Sequence, residues 1–194
     1  MKLFFKNYSY NMVLMFVNQF VTSIFGTMLA MAATGARNTP LTIFLSIVAV
    51  IFYMFLMYEM TWKIGAKDRI SVDMGKMQYR PHTGVLLSLC ANIPNFVVAL
   101  LYSVAFPFMA EKTWAGSLAA IMRVVSILTE GMYLGLMTAI RISEQQLAYF
   151  WWTYFVITIP AMLTCWIAYY LGYRNIKFTT LFDYKDPTKP KHKD

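Results

Sequence analysis

The sequence predicts an all-α integral membrane protein, a polytopic bundle of five transmembrane helices. Three observations carry that prediction. Of 194 residues, 59% are hydrophobic and only 13% charged, and mean hydropathy is +0.51; a soluble domain is about 25% charged. The apolar residues fall into five runs, each longer than the roughly 20 residues needed to cross about 30 Å of hydrocarbon. Trp62, Trp114, Trp151 and Trp152 stand near the ends of those runs, as interfacial anchors do. Lipid offers the backbone no hydrogen-bond partners, so runs of this kind are helices.

The first span is read at 11–34. Lys2 and Lys6 precede it, as in a signal peptide, but the apolar run from Met12 to Thr34 exceeds a signal core, so a retained helix is expected. Asn18, Thr22, Gly26 and Ala30 follow one another at a spacing of four, with Gln19 beside them. The second span, 40–62, opens on Pro40, a residue suited to the first helical turn. Near its end, Glu59 stands four residues before Lys63, an ion-pair spacing.

Residues 63–82 read as a basic loop. Its Lys63, Lys67, Arg69, Lys76 and Arg80 are expected to contact anionic lipid head groups. Ile70, Val72 and Met74, then Met77 and Tyr79, alternate around Gly75–Lys76, a pattern that fits a short hairpin. The third span, 83–110, is uncharged, and "NIPN" (Asn92–Asn95) interrupts it. Proline frees a helix carbonyl, and broken helices with polar flanks line transporter sites.

The fourth span, 114–140, carries Arg123 and Glu130 two turns apart on nearly one face, about 10.5 Å along the axis. That is too far for an ordinary i,i+4 pair. Each mid-span charge costs roughly 2.5–3.5 kcal/mol on insertion scales, so the pair should face the bundle. Arg123 is close enough to an interface to snorkel, whereas Glu130 sits deeper. Gly131, Gly135 and Ala139 form a small-residue ladder beside the charges. This ladder is expected to pack on that of the first span, Gly26 and Ala30 included, with Asn18, Gln19 or Thr22 near enough to bond Glu130. The fifth span is 147–173, with Pro160 a kink or end signal. Residues 1–173 thus form one transmembrane domain. The stretch 174–194 is a basic tail whose composition predicts disorder.

Net charge is +8. The cations lie between and after the apolar runs, which points to lipid and excludes nucleic acid as partner. Cys90 and Cys165 fall inside spans and read as small apolar packers. With five full crossings the two sides carry equal numbers of cations. If one of the last three segments fails to cross, loop and tail share a side.

The leading expectation is a small non-enzymatic transport protein, or the membrane subunit of a transport complex, in a cytoplasmic or plasma membrane. Its substrate or ion site would comprise Glu130, Arg123, Asn18, Gln19, Thr22, Asn92 and Asn95. The alternative is an assembly protein in which these groups hold helices, a second copy or a partner subunit. A lipid-modifying enzyme comes third. No metal or cofactor is expected, since the only histidines, His82 and His192, lie outside the spans.

Overall fold

The computed structural model describes residues 2–176, so the expectation of a disordered tail falls, from Lys177 on, outside the described residues. Eight α-helices run in order: α1 (Lys2–Gly35), α2 (Thr39–Asp73), α3 (Thr83–Ala91), α4 (Ile93–Ala105), α5 (Thr113–Glu130), α6 (Leu134–Ala139), α7 (Thr153–Val156) and α8 (Ile159–Tyr173). Four stretches are long and apolar enough to cross a membrane: α1, α2, α5–α6 together and α7–α8 together. The third expected span is a pair, α3 and α4, bent by 56°.

Two ends of the bundle can be told apart. At one, Tyr8 bonds Asp68, Tyr79 stacks on Tyr173, and Trp62 donates to the Ile176 carbonyl. Gly84, which opens α3, lies against Tyr169 at this same end. At the other, Thr34, Arg37 and Thr42 line one cavity with Ala139 and Arg141. Hence α1 runs from the first end to the second, α2 and α8 run back, and α6 finishes at the second.

The interior is unusually polar. Gln19, Thr22, Ser23, Ser46, Thr61, Ser88, Asn92, Asn95 and Glu130 are buried, while Val13, Phe44, Ile51, Phe55, Leu100 and Leu163 point outward. Apart from Thr22, which lies beside them, the buried positions of α1 (Phe4, Tyr8, Met12, Met15, Gln19, Ser23, Gly26, Ala30 and Ala33) recur every three or four residues, one face of a helix.

Glycines set the closest helix contacts. A methyl group on Gly65 would strike the Tyr169 carbonyl of α8, and one on Gly172 the Trp62 carbonyl of α2. The backbones of α2 and α8 therefore touch directly, as small residues permit.

Several expected elements are corrected. Helix α1 starts nine residues before the expected 11, near Lys2. Helix α2 continues to Asp73, so the basic loop shrinks to 74–82 and no hairpin forms at Gly75. The buried stripe of Met57, Thr61, Ile64, Gly65 and Asp68 keeps helical period and overrides the local charge. Gly75 ends α2: its φ is +70°, its N–H reaches the Val72 carbonyl, and the Lys76 N–H reaches Ser71. These two bonds make a Schellman motif, in which glycine supplies the left-handed residue.

A two-residue hairpin forms elsewhere. Arg141–Ile142 pairs antiparallel with Gln145–Gln146 across Ser143 and Glu144, both at positive φ. The fifth span begins helically only at Thr153, after a 3₁₀ turn over Leu147–Tyr149. A further break precedes Pro160, which opens α8.

Candidate functional site

Glu130 is the last residue of α5, and its backbone (φ −132°, ψ 20°) leaves the helical region. Gly131–Tyr133 form a 3₁₀ turn before α6 resumes. The cause is Ser23 of α1. In an unbroken helix the Gly131 N–H would bond the Ile127 carbonyl four residues back. Here the Ser23 hydroxyl stands between them, accepting from Gly131 at 2.6 Å and donating to Ile127 at 2.8 Å. A side chain inserted into the ladder is an established cause of a helix break. Thr27 adds a longer contact to the same carbonyl, at 3.4 Å.

The close approach that permits this insertion comes from two glycines. A methyl on Gly131 would meet Thr27 and Ser23, and one on Gly26 would meet the Met132 backbone. At Gly26 and Gly131, α1 and the α5–α6 unit therefore approach backbone to backbone. Ala30 is buried in α1, and Ala139 is partly exposed at the end of α6. Gly135 faces α2 instead, where a methyl would strike Ser46.

Glu130 is 5% exposed, yet among the described residues no side chain hydrogen-bonds it. The Tyr133 hydroxyl, also buried, lacks a hydrogen-bond partner too. Glu130 faces a cavity of about 40 Å³, lined also by Arg123, Ser126, Leu134, Thr138 and Tyr154. That volume holds a few water molecules at most. The lining positions 123, 126, 127, 130, 134, 137 and 138 form one stripe along α5–α6.

The other expected site residues divide. Arg123 lies on the same cavity, with its guanidinium 4.5 Å from the Tyr149 ring centre, a cation–π contact. Asn18 donates to the Met60 sulfur, and Thr22 bonds the carbonyls of Asn18 and Gln19 in its own helix. Gln19 is buried. None of the three bonds Glu130: they precede Ser23, which meets the break at Gly131, by one to five residues along α1. Asn92 donates to the Ser88 carbonyl, and Asn95 donates to Asn92 at 2.9 Å. This pair braces the α3–α4 break, where Pro94 can donate nothing. The Asn95 side-chain oxygen is buried without a partner.

A second buried carboxylate escaped the sequence reading. Asp68, read there as a loop residue, is 6% exposed on α2 and accepts from Tyr8 at 2.5 Å and Tyr169 at 2.9 Å. It ties α1, α2 and α8 together. Beside it lies a cavity of about 430 Å³ between α1 and α2, to which Lys63 and Lys67 contribute. Lys63 pairs with Glu59 at 3.6 Å and Arg69 with Asp73 at 3.7 Å, both at helical i,i+4 spacing and both exposed. Lys76 and Arg80 lie exposed on the shortened loop.

Comparison with profiles of protein families, with characterised proteins and with solved structures gives no match.

Proposed function

We propose that this chain is a small polytopic membrane transport protein, or the membrane subunit of a transport complex, with Glu130 as the carboxyl that binds a proton, cation or substrate. One observation carries the reading: Glu130 is buried, has no hydrogen-bond partner among the described residues, and faces a cavity. A carboxyl that only holds helices together is expected to be hydrogen-bonded, because burying one unpaired is costly. An ionisable group inside a membrane span is by default a functional-site hypothesis. The small-residue faces at Gly131 and Gly135 are filled by α1 and α2 of the same chain; the assembly reading also expects them covered, so it is the unbonded state of Glu130 that separates the two readings.

The surface supports insertion into a bilayer. Large side chains such as Phe44, Ile51 and Phe55 point out while serines, threonines and amides point in. On a soluble protein such outward apolar belts would be a large exposed patch. The two ends support a topology of four crossings. Segment 83–139 starts at the Asp68 end and finishes at the opposite one, so only one of its two helical units crosses. That unit is α5–α6, which continues across its 3₁₀ turn, and the α3–α4 pair, bent by 56°, does not cross fully. Lys6, Lys63, Lys67, Arg69, Lys76, Arg80, Lys112 and Arg174 then share one face, against Arg37 and Arg141 on the other. The positive-inside bias makes the richer face cytoplasmic.

The test compares wild type with Glu130→Gln in detergent, following thermal unfolding across pH. The variant is expected to fold as wild type does and to lose a pH-dependent step that wild type shows. Unfolding or dissociation of the variant at every pH would make Glu130 a structural anchor and end the reading.

A further inference from the structure

The end of the bundle opposite Asp68 holds a second polar cavity, of about 220 Å³. Thr34 and Arg37 come to it from the end of α1, Asn38 and Thr42 from the start of α2, and Thr138 and Arg141 from the end of α6 and just beyond. Its two arginines come from links more than a hundred positions apart in the chain. They are the only cations of this end among the described residues. Neither makes an ion pair among the described residues.

The donors here are few and specific. The hydroxyls of Thr34, Thr42 and Thr138 are turned onto carbonyls of their own helical turns. The Asn38 oxygen caps α2 by accepting from the Leu41 N–H at 3.1 Å, which leaves its NH₂ group. The cavity lining therefore offers two guanidinium forks, two side-chain amides, with Gln146 the second, and the Thr39 hydroxyl, and contains no carboxylate. Glu144, the nearest acid in sequence, lies on the outer side of the hairpin, lining a different cavity with Arg141. The backbone holds this arrangement in a disfavoured form: Arg37 has φ +51°, and the turn after Arg141 has Ser143 and Glu144 at +47° and +71°.

Planar guanidinium groups match the two-oxygen edge of carboxylate and phosphate. We propose that this cavity binds a small oxyanion, a phosphate or carboxylate group. It would serve as the mouth through which an anionic substrate reaches the Glu130 cavity; this last step rests on the transport reading. Thr138 lines both cavities and so makes them neighbours. Along the same α5–α6 stripe, Arg123 supplies a further cation beyond Glu130. An anion entering past Arg37 and Arg141 thus meets positive charge on both sides of the Glu130 carboxyl.

The group could belong to a free solute or to a lipid head group, and nanodiscs separate the two. Full-length protein is placed in discs of phosphatidylcholine, and labelled inorganic phosphate and labelled succinate are titrated by equilibrium dialysis. Saturable binding of at least one is expected. Arg37→Gln and Arg141→Gln should each weaken it by about tenfold or more, as loss of a charged hydrogen-bond donor does. Lys63→Gln, at the opposite end, should leave it unchanged. A parallel set uses discs containing phosphatidylglycerol. If that lipid is retained by wild type, excludes the free anions, and is lost from the Arg37→Gln/Arg141→Gln protein, the same site is assigned to a head group. The proposal is overturned if no free anion binds and no phosphatidylglycerol is retained, or if the double variant behaves as wild type. Glu130→Gln is run alongside. Anion binding that survives in it, with the pH-dependent step absent or present, reports on the mouth independently of the transport reading.

Discussion

Asp68→Ala is expected to be among the most damaging single changes outside the Glu130 cavity. The Asp68 Oδ2 accepts both phenols, Tyr8 at 2.5 Å and Tyr169 at 2.9 Å, and the residue is 6% exposed. A hydrogen bond contributes about 0.5–1.5 kcal/mol between neutral groups and about 1.5–3 when one is charged, and an orphaned buried partner adds its own desolvation. Two lost bonds and two stranded phenols therefore amount to roughly 2–5 kcal/mol. The assay is reversible unfolding in mixed micelles by increasing fractions of sodium dodecyl sulfate, followed by tryptophan fluorescence. Tyr8→Phe and Tyr169→Phe should each cost about 1–2 kcal/mol. The triple variant should cost less than the three single changes added together, because removing the phenols relieves what Asp68→Ala strands. An Asp68→Ala protein within about 0.5 kcal/mol of wild type, or strict additivity across the set, would refute the reasoning.

Other expectations follow from neighbouring features. Gly26→Ala should destabilise by about 1–3 kcal/mol, since its methyl meets the Met132 backbone, whereas Gly35→Ala, with open space around it, should be neutral or slightly stabilising in the same titration. Gly75→Ala should cost about 1–2 kcal/mol, because a side chain is placed at φ +70°; an unchanged midpoint would mean α2 ends differently. Ser23→Ala removes the hydroxyl from between Gly131 and Ile127 and should cost only about 0.5–1.5 kcal/mol, because the helix can close its own bond; infrared spectra of backbone-labelled Ile127 would show the carbonyl shift. Single cysteines at Lys6, Lys76 and Asn175, in a background without Cys90 and Cys165, should react with an impermeant maleimide from the side opposite to one at Ser143. Labelling of all four from one side would sink the four-crossing arrangement.

Much of the fold was legible because a bilayer constrains the sequence so strongly. Uninterrupted apolar runs marked the spans, "NIPN" marked the break in the third, and spacing-four ladders joined the first helix to the fourth span. What stayed hidden depended on contacts between distant residues. The α2 extension past Trp62 looked like a loop because Lys63, Lys67 and Arg69 dominate its composition, although Thr61, Ile64, Gly65 and Asp68 continue the buried stripe of Met57 and could have been followed. The partners of Asp68 stand 60 and 101 residues away, and nothing local identifies them. The Ser143–Glu144 turn has neither of the residues, Gly and Asn, that usually announce a hairpin. Within the site, Glu130 and Arg123 stood out through their charge, and both line the cavity. Ser23 did not, because a serine one position from the polar ladder has no signature until the glycine opposite it is known.

The backbone contact between α2 and α8 has a mechanical consequence. With Trp62 seated on Gly172 and Tyr169 on Gly65, the two helices mesh like gear teeth. A slip of one residue would drive a side chain into a carbonyl at either point. Their shared axis is thus a fixed post. If the transport reading holds, a motion that widens the space beside Glu130 would be taken up where the chain is already interrupted, at Asn92, at Gly131–Tyr133 and just before Pro160. The α2–α8 post would then be what the half carrying the carboxyl moves against.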